Sequence, residues 1–205
     1  MNHHSLRIGV LASGAGTTLQ AVIDACERGE LSGSVVFVIG NNSDSGALAR
    51  AARHGVPSRH LSSHTHPDAA ALDIAIRDAL IQHDVELVLL AGYMKKLGPA
   101  TLAAFAGRIV NTHPSLLPRH GGRGMYGTRV HAAVLEAGER ATGISVHLVD
   151  AEYDTGLVLA RREVPVEAGD DVASLAARVQ KAEKAFLVDV LARIARGEIR
   201  LATGA

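Results

Sequence analysis

Short apolar runs alternate with amphipathic, helix-like segments over most of this chain, which predicts an α/β protein built on an open, mostly parallel sheet. Two further observations support that class. Hydrophobic residues make up 47% of the 205 residues, while aromatics supply only 3% and Trp is absent. The interior must therefore be packed from Val, Leu, Ile and Ala, which suits parallel strands covered by helices on both faces. Towards the C-terminus the alternation gives way to two consecutive strand-like runs, which predicts an antiparallel strand addition there. The length suits one domain over residues 1–205.

The elements follow in order. Arg7 to Ala12 is a short apolar run that breaks at Ser13-Gly14-Ala15-Gly16. From Thr18 to Arg28, Leu19, Val22, Ile23 and Cys26 form one helical stripe. Ser34 to Ile39 reads as a second strand, and Ala47 to His54 as a helix closed by Gly55. An extended piece at Pro57 to Leu61 precedes a helix that Pro67 opens and that runs to His83. Glu86 to Ala91 and Arg108 to Thr112 are buried-strand candidates. Met125 to Ala137 reads as a helix closed by Gly138. Gly143 to Val149 and Leu157 to Val164 form the strand pair, and Asp170 to Arg196 is a long amphipathic helix.

Lys+Arg and Asp+Glu balance at 21 each, so no net basic field favours nucleic acid or an anionic membrane as partner. The single cysteine, Cys26, excludes an intrachain disulfide and fits a reducing compartment. Met1-Asn2-His3-His4 leads straight into a strand-like run without a signal segment, and no apolar run reaches membrane-spanning length. A cytoplasmic protein is expected.

Asn111 and His113 stand two residues apart, so on an extended backbone both side chains leave the same face. Pro114 ends that strand, and strand ends are where open α/β sheets place their chemistry. An amide and an imidazole there can be catalytic, or simply a capping amide and a hydrogen-bonded histidine. Asp154, before Gly156, is equally ordinary turn chemistry. The turn Ser13 to Thr18 suits an anion, since small residues aim backbone N–H groups outward at a helix N-terminus; it also reads as a plain tight turn. It carries neither the third glycine of a dinucleotide fingerprint nor the Gly-Lys-Ser/Thr of a phosphate loop. Four glycines within residues 119–127 mark a connector or a mobile lid. His131 is read as surface or packing, and Lys181, Glu183 and Lys184 as a solvated helix face. His64, His66 and Asp68 mimic a metal cluster without a second ligand group at fitting spacing, so no metal is expected.

Taken together, Ser13-Gly14-Ala15-Gly16-Thr17-Thr18-Leu19-Gln20, Ala91-Gly92-Tyr93-Met94, Asn111 to Pro118, Thr142 to His147 and Asp154-Thr155-Gly156 resemble, in this order, the folate-dependent phosphoribosylglycinamide formyltransferases. The resemblance extends from Arg7 to Gly197 and implies a Rossmann-like sheet. It implies that 10-formyltetrahydrofolate is co-substrate and that its formyl group passes to the amine of glycinamide ribonucleotide in de novo purine synthesis. Asn111, His113 and Asp154 would be catalytic. Gly16, Thr17 and Thr18 would hold the substrate phosphate, and Gln180, Lys181, Ala182 and Glu183 its ribose and glycinamide end. Met94, Lys95, Lys96 and Leu97, with Asn111 and Asp150, Ala151, Glu152, Tyr153 and Asp154, would line the folate pocket. Two departures stand out. Thr17 and Thr18 replace the Ser and Asn common in the family, and Asp68-Ala69-Ala70-Ala71 lacks the arginine that meets the folate tail in some members. Methionyl-tRNA formyltransferases share the catalytic residues but add a basic C-terminal domain, and formyltetrahydrofolate hydrolases add an N-terminal regulatory domain; neither is expected here. A nucleotide-binding module would use the Ser13 to Thr18 turn but leave Asn111, His113 and Asp154 unexplained. The expected assembly is a monomer or homodimer.

Overall fold

The strands appear where the apolar runs placed them. β1 (Leu6–Ala12) pairs in parallel with β2 (Gly33–Gly40) on one side and with β4 (Leu87–Leu90) on the other. Its Ile8, Val10, Leu11 and Ala12 are fully buried, because a central strand covered on both faces has no solvent side to alternate towards. β3 (Ser58–His60) extends β2 in parallel. The computed structural model describes residues 5–201; residues 1–4, on which the expectation of no leader rests, and 202–205 lie outside the described residues. The seven-stranded sheet has the order β3-β2-β1-β4-β5-β6-β7, with β5 at Ile109–His113. β6 (Ala141–Leu148) and β7 (Val158–Pro165) are the antiparallel pair the C-terminal runs predicted.

The helices are α1 (Thr17–Glu27), α2 (Gly46–Arg53), α3 (Ala69–Gln82), α4 (Pro99–Ala104), α5 (Thr128–Glu136) and α6 (Val172–Ala195). Three begin later than the sequence predicts, each for a visible reason. Asp68, and not Pro67, stands at the start of α3, its carboxylate accepting from Ala71 N at 2.7 Å. Gly122, Gly124 and Gly127 all have positive φ, which delays α5 until Thr128. Asp171 accepts from Ser174 N at 2.8 Å while Ser174 Oγ accepts from Asp171 N at 3.0 Å, a reciprocal cap that starts α6 at Val172.

The chain forms two compact units that divide inside β5, one up to Val110 together with the segment from Leu191, the other Asn111–Val190. The first unit contains α4, a helix whose six residues are too few to show a periodicity. Its start is fixed from α3 by Asp73, which accepts from Ala100 N at 2.7 Å, Thr101 N at 3.0 Å and Thr101 Oγ1 at 2.6 Å. A Cβ on Gly98 would overlap the Asp73 carboxyl group, so only glycine allows this approach.

Thr101 is fully buried and Asp73 is 6% exposed, so deleting the carboxylate strands donors away from water. Asp73→Ala is expected to lower unfolding stability by about 2–3 kcal/mol, read by urea denaturation. A loss within about 0.5 kcal/mol of zero would show that the cap is not what holds α4 in place.

Candidate active site

In the second unit, Asn111, Thr112 and His113 are the last residues of β5. Asn111 and Thr112 are half-buried, and His113 is 3% exposed. The segment that follows is fastened to β6 by one hydroxyl: Ser145 Oγ donates to Ser115 O at 2.7 Å and accepts from Leu117 N at 2.9 Å. Ser115 Oγ in turn donates to Arg119 O at 2.6 Å, closing the loop on itself. Both serines are fully buried. The Pro114 to Pro118 block therefore acts as a rigid support for the end of β5.

That support sets the histidine. His113 Nε2 lies 2.7 Å from His120 O. A carbonyl can only accept, so Nε2 carries the proton of that bond. Nδ1 points the other way, 3.4 Å from Asp154 Oδ2. Asp154 sits at φ 59, a left-handed conformation that Asp tolerates better than most residues. Its Oδ2 also accepts from Gly122 N at 2.9 Å. A Cβ on Gly121 would overlap Leu117 Cδ2 and lie 3.4 Å from Asp154 Cβ, so glycine at this position lets the 119–127 loop close over the carboxylate.

A second imidazole completes the cluster. His147, 2% exposed at the end of β6, has Nε2 3.2 Å from Asn111 Nδ2 and 3.5 Å from Asp154 Oδ1. Burial is the first cause that pushes its pKa below the ordinary imidazole value. Thr112 Oγ1 donates to Glu183 Oε1 on α6, so this glutamate is tied to the same strand as the amide and the imidazole. Asn111, His113 and Asp154 thus come together as the sequence anticipated. Glu183 is anchored at the strand rather than solvated. Gln180 and Lys181 are exposed, and Ala182 is half-buried. Asp150, Ala151, Glu152 and Tyr153 are exposed, with Asp150 Oδ1 accepting from Thr155 Oγ1 at 2.8 Å. His131 is buried at 2%, its Nδ1 has no partner, and burial lowers its pKa, so it is packing and not surface.

Sequence reasoning gave no individual role to Ser145, His147, His120 or Gly122. The signal for the first two was available: Gly143 to Val149 reads as a strand, which makes Ser145 and His147 same-face neighbours two residues apart. Nothing local marks His120 and Gly122, which act through backbone atoms.

In the first unit the Ser13 to Thr18 turn enters α1 through Gly16, at φ 71, where a Cβ would lie 2.6 Å from Ala47 Cα. No side chain caps this helix, and its first intrahelical acceptor bond is Gln20 N to Gly16 O. The N–H groups of Thr17 and Thr18 therefore have no partner within the helix. Ser13 is used structurally: its O accepts from Asn42 Nδ2 at 2.5 Å and its Oγ from Met94 N at 2.8 Å. Met94 is 55% exposed, Lys95 and Lys96 are exposed, and Leu97 is buried. A cavity of about 520 Å³ is lined by Lys95, Lys96, Tyr93, His64 and Asn41 among others. Burial pushes the Tyr93 phenol up to about 12, and Asn41 Oδ1 is buried without a partner. Of the residues that mimicked a metal cluster, Asp68 is the cap of α3; among the described residues no three His, Cys, Asp or Glu side chains gather to hold an ion.

Known proteins are similar to this chain over most of its length. A phosphoribosylglycinamide formyltransferase of Mycobacterium tuberculosis is 41% identical over 189 residues, covering 92% of this chain and 85% of that protein. The crystal structure of glycinamide ribonucleotide transformylase 1 from Symbiobacterium toebii superposes with a TM-score of 0.89 at 36% identity, covering 99% of this chain and 96% of that one. The chain also matches the trifunctional purine biosynthetic protein adenosine-3 of Chironomus tentans at 36% identity, but spans only 14% of its length. The family model described as formyl transferase matches residues 6–191, and the chain belongs to that family.

Proposed function

We propose that this chain transfers the formyl group of 10-formyltetrahydrofolate to the amine of glycinamide ribonucleotide, as a cytoplasmic enzyme of purine synthesis. The observation that carries the reading is the convergence of Asn111, His113 and Asp154 at one strand end, held by Ser145 and by the 119–127 loop. The co-substrate supplies a formyl carbon already activated on a ring-linked nitrogen. Transfer forms a bond from the acceptor amine to that carbon and breaks the bond to the folate nitrogen. The amine gives up one proton, and the folate nitrogen takes one.

The residues fit those demands. Asn111 commits one N–H to His147 Nε2, and its second N–H remains to meet the oxygen as it gains negative charge. His113 uses Nε2–H on the His120 carbonyl, so Nδ1 is the nitrogen that exchanges a proton with Asp154 and the reacting centre. Asp154 faces both rings and offers a carboxylate to the amine as that amine becomes positively charged. The open N–H groups of Thr17 and Thr18 at a helix N-terminus suit the phosphate of the acceptor. Gln180 to Glu183 on α6 suit its ribose and glycinamide end. The Met94 to Leu97 segment, Asn111 and the Asp150 to Asp154 loop suit the folate.

The decisive experiment follows loss of formyl from 10-formyltetrahydrofolate with and without glycinamide ribonucleotide. Acceptor-dependent transfer is expected. Release to water alone, equal with and without the amine, would instead identify a hydrolase. Asn111→Ala is expected to keep the fold by circular dichroism and lower kcat by roughly 100- to 1,000-fold. A near-normal rate would remove the amide from the site. Gly16 is too tightly packed against Ala47 to test the phosphate turn cleanly. Thr17→Asp places an anion at the exposed first turn of α1, which the helix tolerates and a phosphate does not. Its expected effect is a KM for the ribonucleotide raised about 10-fold, with the folate KM within about twofold, since like charges at contact distance cost on the order of 1 kcal/mol. The reverse pattern would move the phosphate elsewhere.

A further inference from the structure

We propose that His147 is a positioning residue for the formyl-transfer step, and that its neutral tautomer fixes which atom of Asn111 faces the substrate. The proposal rests on the function proposed above and uses only contacts within the second unit.

The tautomer follows from the partners. His147 Nδ1 lies 2.8 Å from Leu148 O, an atom with no proton to give, so Nδ1 bears the hydrogen. In a neutral ring Nε2 is then a bare lone pair. The group 3.2 Å from it is Asn111 Nδ2, which can only donate. The pair is therefore self-consistent in one arrangement alone: the amide NH₂ faces His147, and its second N–H is aimed by that bond. Rotating the amide by half a turn would set Asn111 Oδ1 against the same lone pair, two acceptors facing each other at a ring that is only 2% exposed. Burial favours the neutral ring on which this arrangement depends.

Two features place His147 for this task. The β6–β7 register shifts between Val146 and His147, where Val146 pairs with Ala160 and His147 with Val158. Such a bulge re-aims the side chain that follows it. Asp154 Oδ1 stands 3.5 Å from the same Nε2. With no hydrogen on Nε2 that carboxylate gains no bond from His147, and its other oxygen is left to Gly122 N and His113 Nδ1. His147 thus serves the amide, and His113 serves the carboxylate. An oxyanion donor that could rotate freely would present N–H only part of the time, so the constraint acts on kcat and not on substrate affinity.

The test joins a spectrum to a kinetic cycle. NMR of the isotope-labelled imidazole nitrogens in the whole chain is expected to show His147 with its proton on Nδ1 and an unprotonated Nε2; a proton on Nε2 overturns the proposal without reference to activity. In the transfer assay, His147→Leu is expected to lower kcat by about 10-fold or more while both KM values stay within about twofold. In an Asn111→Ala background the same change should cost less than about twofold, because a residue acting only through Asn111 has nothing left to position. An equal loss in both backgrounds would assign His147 to packing and overturn the role. His147→Gln, whose Oε1 can accept where Nε2 does, is expected to recover kcat to within about threefold of the unaltered chain, and this variant decides the matter should the leucine variant fail to fold. A glutamine variant as slow as Asn111→Ala would also overturn it. If the unaltered chain transfers no formyl group, the function itself fails and the role in transfer with it, whereas the spectrum still reports the tautomer.

Discussion

The site depends on how one carboxylate is held. Asp154 stands in a left-handed turn, with one oxygen on the Gly122 N–H and His113 Nδ1 and the other near His147. Each contact constrains a different stretch of the second unit: the loop after β5, the end of β5 and the end of β6. The absence of a side chain at Gly121 lets these stretches meet. The carboxylate therefore organises the loop and orients the imidazole at once, so the geometry of the cluster and the local fold are inseparable at this residue. A neutral isostere would keep the shape but give up the negative charge that the two imidazoles and the Gly122 N–H face.

Ser145 has the complementary task for the backbone. Its hydroxyl spends its donor on Ser115 O and an acceptor lone pair on Leu117 N. The chain after Pro114 cannot join the sheet as a strand, so its polar backbone groups need partners elsewhere. One buried hydroxyl supplies two of them. Arg161 Nε adds a third by donating to Leu117 O at 3.1 Å. The block that reads from sequence as a catalytic signature is thus mostly a device for satisfying backbone groups beside a strand end, and its rigidity is what fixes Asn111 and His113.

Most of the sheet was legible because parallel central strands leave continuous apolar runs, and the β6–β7 pair because two runs follow each other without a helix between them. α4 was not legible, since six residues hold less than two turns and its cap comes from Asp73, far away in sequence. Helix starts slipped where a local cap or a run of positive-φ glycines competed with periodicity, as at Asp68 and Gly127. In the site, Asn111 and His113 stood out by their spacing at a strand end, whereas Asp154 joined them only through the family resemblance. The contributions of His120 and Gly122 could not be read, because a carbonyl and an N–H carry no residue signature. Glu183 was named only through the family resemblance, and its tie to Thr112 depends on which turn of α6 meets that residue, which periodicity does not show.

The two site imidazoles share one construction and differ in outcome. Each commits one nitrogen to a backbone carbonyl, His113 through Nε2 to His120 and His147 through Nδ1 to Leu148. The remaining nitrogen then takes its character from what it faces. His113 Nδ1 faces a carboxylate; His147 Nε2 faces an amide nitrogen, which requires a lone pair. In each ring the carbonyl fixes one N–H and leaves only the other nitrogen to respond to its side-chain neighbour. Main-chain oxygens in the 119–127 loop and at the end of β6 therefore set one proton on each ring, and a change in backbone path at either place would alter the proton positions before it altered any side chain of the cluster.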